Sequence, residues 1–125
     1  MRLAVLFFCL SSLAGFAGSW EGVLVNSECY DAVERNVNPF ESGLDAGRDR
    51  NFEVRYCRAN ARTKSFTVVQ PDGQSFKLDS TGNAKAAEIV RKGNQKFIFV
   101  VDVTGTVRDH LIKVDSISML RNVKP

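Results

Sequence analysis

The sequence predicts a mainly β domain, with five strands around one core and a single helix between the third and fourth. Three observations lead there. Ser65–Gln70 and Gln74–Leu78 alternate apolar and polar residues on either side of Pro71-Asp72-Gly73, the pattern of a β-hairpin. Lys96–Val107 is the strongest strand signal in the chain. Between these segments Ala86, Ile89 and Val90 recur at spacings of three and four, the period of a short amphipathic helix.

Each element has its own justification. Trp20–Val25 is rich in β-forming residues and reads as strand one, with Gly22 marking a bend or bulge. In the hairpin, Pro71 fixes φ at the first central position and Gly73 accepts positive φ, while Phe66, Val68, Phe76 and Leu78 face inward. Asp79 to Asn83 offers several capping side chains, so the helix spans Asn83–Lys92 and stops at Gly93. In strand four, Phe97, Phe99, Val101 and Val103 share one face. Ile98 and Val100 make the other face partly apolar, which suits a central strand covered on both sides. Arg108-Asp109-His110 turns the chain, and Leu111–Ser118 returns as strand five. Ile112 and Val114 lie on one phase and Ile117 and Met119 on the other, so a bulge belongs near Asp115-Ser116. Arg121 to Pro125 is expected to fray.

Strand one is separated from strand two by a long polar insert, residues 26–64, with turn chemistry at Asn38-Pro39, Ser42-Gly43 and Ala46-Gly47. Asp31–Arg35 and Asn51–Ala61 are each expected to form a helical turn or two. The order β-β-β-α-β-β is that of a five-stranded OB-like Greek-key barrel; a lipocalin-like barrel needs about eight strands. An open α+β sandwich has the same order.

The motifs of the mature chain carry a resemblance. Gly22-Val23-Leu24-Val25-Asn26-Ser27-Glu28-Cys29, a second Cys further on, Asp72-Gly73-Gln74-Ser75-Phe76-Lys77-Leu78, Val103-Thr104-Gly105-Thr106-Val107 and Ile112-Lys113-Val114-Asp115-Ser116-Ile117 stand in that order. Together they resemble a group of small exported bacterial OB-fold-like domains of unknown function. The resemblance implies an OB-like fold and no catalytic residue. Asn26 stands where that group has Asp.

The N-terminus reads as an export signal, residues 1–18, followed by one domain, 19–125. Arg2 supplies a positive charge, Leu3–Leu10 an apolar stretch, and Gly15 and Ala17 the small residues before cleavage after Ala17 or Gly18. The apolar stretch is shorter than the ~20 residues that span a bilayer, and no later segment is long or apolar enough. Cys9 follows bulky Leu6-Phe7-Phe8, which excludes a lipoprotein signal. Removing Cys9 leaves Cys29 and Cys57, an even count that suggests one disulfide in an oxidising, secreted or periplasmic setting. Closing that loop stabilises the chain by about 3.5 kcal/mol in the chain-entropy model. No CxxC spacing occurs, and the single histidine cannot complete a zinc site with two cysteines unaided.

Charge and motif narrow the function classes. A formal charge of +3 gives no argument for nucleic acid, and no Walker, Rossmann, GxSxG or HExxH pattern occurs. Cys29 with His110 as base is the sharpest enzyme arrangement, and it requires the disulfide to be absent. Glu28, Asp31, Glu34, Glu41 and Asp45 cluster in the first half of the insert, but their spacing matches no calcium loop. Arg48, Arg50, Arg55, Arg58, Arg62 and Lys64 make the second half basic, so the two halves can pair with each other. Trp20 reads as a plug at the barrel end and Gly105 as a bend. The candidate binding surface is Tyr30, Phe40, Arg48, Arg50, Phe52, Arg55, Tyr56 and Arg58, basic and aromatic residues interleaved on an insert that a scaffold displays. The expectation is an exported, non-enzymatic binding domain without cofactor or metal. Its partner is an unknown small ligand, bound through residues 29–57 and the adjoining barrel face. The alternative is a secreted or periplasmic protein-interaction module, an inhibitor or assembly subunit.

Overall fold

A computed structural model describes residues 16–34 and 43–125, with the side chains of 43–49 excepted. Eight elements follow one another: β1 (Phe16–Asn26), α1 (Ser27–Glu34), α2 (Gly43–Tyr56), β2 (Phe66–Val69), β3 (Ser75–Leu78), α3 (Ser80–Lys92), β4 (Ile98–Arg108) and β5 (Leu111–Val123). The five strands form one sheet in the order β1-β2-β3-β5-β4, and β4 pairs back onto β1, closing it into a ring. Every pairing is antiparallel except β3 with β5, a parallel seam of two residue pairs, Lys77 with Leu111 and Leu78 with Ile112.

β1 is long enough to serve two neighbours. Its first part pairs with β4 and its end with β2, and Val23 lies opposite both Val100 and Val69. Gly22 stands at this changeover, where a Cβ would run into the Val69 carbonyl oxygen. The strand starts at Phe16 rather than Trp20, so Phe16–Gly18, assigned to the export signal, lie in β1 opposite Val107–Gly105. Residues 1–15 lie outside the described residues.

The hairpin forms as its turn chemistry requires. Gly73 has φ +91°, its N–H donates to the Gln70 carbonyl at 2.9 Å, and Gln70 N–H donates to Gln74 at 2.8 Å. α3 begins three residues before the expected Asn83. Asp79 is its N-cap, accepting from Gly82 N–H at 2.9 Å. Asn83 is occupied elsewhere, since its Oδ1 accepts from Phe66 N–H at 2.9 Å. The Asp79 carboxylate also accepts from Val114 N–H at 3.3 Å, tying the helix start to β5.

β4 is the central strand, with Ile98–Val101 and Val103 all buried. Asp109 and His110 both have positive φ, the requirement of a tight hairpin turn whose twist matches its strands. The bulge expected near Asp115 is present: Thr104 faces Ser116 and Gly105 faces Val114, leaving Asp115 as the extra residue. A second register shift leaves Leu120 extra. The expected fraying from Arg121 is corrected. Arg121, Asn122 and Val123 continue β5, because β4 supplies partners for them at Val100, Phe99 and Ile98.

Alternation sorts the side chains into two clusters. Leu24, Phe66, Val68, Phe76, Phe99, Val101, Val103 and Ile112 fill the ring together with Ala86 and Val90 of α3. Trp20 is half-buried against this cluster, its ring 5.9 Å from Phe76. Val25 and Val69 point outward and form a smaller cluster with Tyr30 and Cys57.

The insert is more helical than expected. Asn26 caps α1 by accepting from Cys29 N–H at 3.2 Å, a task for which Asn and Asp are nearly equivalent. α2 runs 14 residues against the expected turn or two. Cys29 and Cys57 form the disulfide, with Cα atoms 5.5 Å apart. Backbone bonds from Asn26 N–H to Cys57 O (2.8 Å) and from Ser27 N–H to Ser65 O (2.9 Å) dock both ends of the insert beside β1.

Candidate functional site

α2 does not lie flush on the sheet. Beneath it, on the outer face where β1 changes partners, is a cleft of about 230 Å³. Its floor is apolar, built by Val23 of β1, Val69 of β2, Pro71 just after it, Val100 of β4 and Val54 of α2. The rim is polar: Arg50 and Asn51 from α2, Glu21 from β1, Gln70, and Arg121 from β5. Outward alternation explains the set. Glu21 and Val23 share a face of β1, and Val100, opposite Val23 and Arg121, shares that face on β4. The absent side chain at Gly22 lets β2 approach closely here.

Two guanidinium groups and one carboxylate stand on the rim. Arg50 donates Nη1 to the Pro71 carbonyl at 3.2 Å and lies over the Pro71–Gly73 turn. Arg121 Nη1 reaches Glu21 Oε1 at 3.4 Å, with the two side chains 61% and 55% exposed, a loose and hydrated pair. Arg50 is also close enough to Tyr30 to act on its hydroxyl. Burial pushes the Tyr30 pKa upward, helped by its hydrogen bond to Glu34 and by the charges of Glu34 and Glu53, and Arg50 opposes the rise. The Tyr30 hydroxyl therefore stays protonated and neutral.

The residues of the expected binding surface separate. Arg50 lines the cleft. Phe52 and Tyr56, one helical turn apart, stack on the exposed side of α2 with ring centroids 6.1 Å apart, and are 64% and 68% exposed. Arg55 and Arg58 donate to the carbonyls of Asn51 (3.2 Å) and Arg55 (3.4 Å) near the α2 C-terminus, where positive charge is favoured. Tyr30 is corrected from surface to core. It is 3% exposed because positions 27 and 30 of α1 face the sheet. Phe40 and the Arg48 side chain lie outside the described residues.

The other candidates go elsewhere. Asp31 pairs with Lys77 of β3 at 2.7 Å rather than with the basic half of the insert. His110 is exposed, stacked 5.9 Å from Phe76, on an open face with Asp31, Thr67, Ser75 and Lys77. Cys29 is bonded to Cys57 and presents no free thiol. Among the described residues, no three His, Cys, Asp or Glu side chains are grouped to hold a metal ion, and no helix is long and apolar enough to cross a membrane.

Sequence reasoning missed Glu21, Val54, Gln70, Pro71 and Arg121. The signal for part of the set was present, since the second apolar face of β4 at Val100 announced something lying over it. No protein-family model, curated protein or solved structure matches the chain.

Proposed function

We propose that this chain is an exported, non-enzymatic binding domain that takes a small ligand in the cleft under α2. One observation carries this reading. A covalently anchored helix stands over an outward-facing valine floor with a cleft between them, and polar groups stand around the rim. That combination is the ordinary composition of a small-ligand site. An OB-like Greek-key barrel is the fold that fits best. It is supported by the ring order, by α3 lying between β3 and β4, and by the parallel closure of β3 onto β5. The disulfide and the signal-like sequence of residues 1–18 support a secreted or periplasmic setting.

The test is an amide-resolved NMR screen of the disulfide-intact domain against small organic fragments. Binding in the cleft moves Gly22, Val54, Val69 and Val100 together. Shifts confined to the Asp31–Lys77–His110 face would reject the cleft as the site.

The second reading, a protein-interaction module, has one observation in its favour. Among the described residues, β5 beyond Asp115 pairs with β4 alone, and Met119, Leu120 and Val123 are exposed along that stretch. An open strand edge with apolar side chains is a template for an added strand.

A further inference from the structure

We propose that the ligand of the α2 cleft is a small amphipathic carboxylate, its short aliphatic chain on the valine floor and its head group held by Arg50 and Arg121. The inference rests on the reading of this cleft as the binding site.

Size, polarity and charge lead to it. About 230 Å³ lies below the 300–1,000 Å³ of sites for drug-sized ligands, so the occupant is small. Val23, Val54, Val69, Val100 and Pro71 offer no hydrogen bond from their side chains, so the part that rests on them is hydrocarbon. The rim then decides the sign of the polar end. Of the residues that line the cleft, two carry a guanidinium and one, Glu21, a carboxylate, which favours an anion over a cation.

Each arginine has five N–H donors, and among the described residues Arg50 uses one on Pro71 O and Arg121 one on Glu21. A carboxylate is the head group that the planar guanidinium fork matches in two-bond geometry. The Arg121–Glu21 contact is long and hydrated, so a ligand carboxylate can share Arg121 without breaking a strong pair. Asp102 lies directly opposite Glu21 on β4 and faces the same side. These two carboxylates repel an anion from the Glu21 end, which draws the head group toward Arg50, beside Gln70 and Pro71.

The experiment titrates the disulfide-intact chain with hexanoate, hexan-1-ol and hexylammonium, read at the amides of Gly22, Val54, Val69 and Val100. Hexanoate is expected to bind at least tenfold more tightly than the alcohol, and hexylammonium not at all. Each methylene removed from the acid should weaken binding about fourfold, the effect of losing one buried CH₂. Arg50→Gln and Arg121→Gln should each narrow the gap between hexanoate and hexan-1-ol, and the double variant should close it. A measurement on the unaltered chain guards against variants that fail to fold. Below the acid's own pKa, protonated hexanoic acid should bind no better than the alcohol. Equal binding of hexanoate and hexan-1-ol, with the same cleft amides moving, would overturn the carboxylate and leave the cleft as the site. If none of the three probes moves those amides, both the carboxylate and the cleft are overturned.

Discussion

Leu24 and Val25 are adjacent on β1 and serve two different cores. Leu24 points into the ring with Phe66, Phe99 and Ile112, whereas Val25 points outward to Tyr30, Cys57 and Val69. Val68 and Val69 divide in the same way on β2. The inner cluster draws on all five strands and α3 and needs nothing but alternation to assemble. The outer cluster is small, and α2, one of the two helices beside it, is only weakly amphipathic. A disulfide and a buried hydroxyl pair hold them there instead. The contrast shows how a small domain can keep a rigid centre and still carry a helix that stands clear of its sheet. The centre is secured by apolar area, and the flank is secured by a few specific ties.

The largest expected effect tests the centre. Phe99 is fully buried beside Gly93, and Phe99→Ala should destabilise the domain by about 3–5 kcal/mol in urea unfolding followed by circular dichroism. A loss below about 1 kcal/mol would mean that the ring does not depend on its inner cluster. Next comes the flank. The double variant Cys29→Ala with Cys57→Ala should cost about 2–4 kcal/mol. In hydrogen exchange, α1 and α2 should lose protection while β4 keeps it. Equal loss in both would erase the distinction between the two regions.

A smaller effect sharpens the comparison at a single bond. Ser27 Oγ lies 2.7 Å from Thr67 Oγ1 in a buried position, joining α1 to β2. Ser27→Ala leaves the Thr67 hydroxyl without that partner, for an expected loss of about 1–3 kcal/mol, read by thermal denaturation. The smallest effect lies on α3, far from the flank. Hydrogen bonding and charge from Lys92, 2.7 Å away, hold the Glu88 carboxyl below its ordinary range. A lowered folded-state pKa gives a contribution present at neutral pH and lost as pH falls through that pKa. Glu88→Gln should therefore remove a small part of the acid-side loss in stability and change nothing at α1 or α2.

The centre was largely legible because its chemistry is local. Pro71-Asp72-Gly73 specifies its own turn, and the phase switch from Val114 to Ile117 locates a bulge without knowledge of the partner strand. Met119–Val123 was lost because it shows no alternation; it is a strand only because β4 extends beside it. α2 was underread for a similar reason. Gly43-Leu44-Asp45-Ala46-Gly47 is poor helix sequence, so propensity does not announce the helix that forms there. For the site, Arg50 was singled out from charge and aromatic neighbours. Its companion Arg121 lies in a segment that reads as a fraying tail, and nothing local brings the two together.

The parallel contact between β3 and β5 makes the ring a clasp rather than a weld. It rests on two residue pairs, helped by hydrogen bonds from Lys77 N–H to His110 O (2.8 Å) and from Asp79 N–H to Ile112 O (3.0 Å). Between the two strands it joins lie α3 and β4. With so few pairs it is the seam expected to slip open first in thermal breathing, an order that hydrogen exchange at Leu78 and Ile112 would reveal. When it slips, the ring relaxes into an open, curved sheet with its strand order intact.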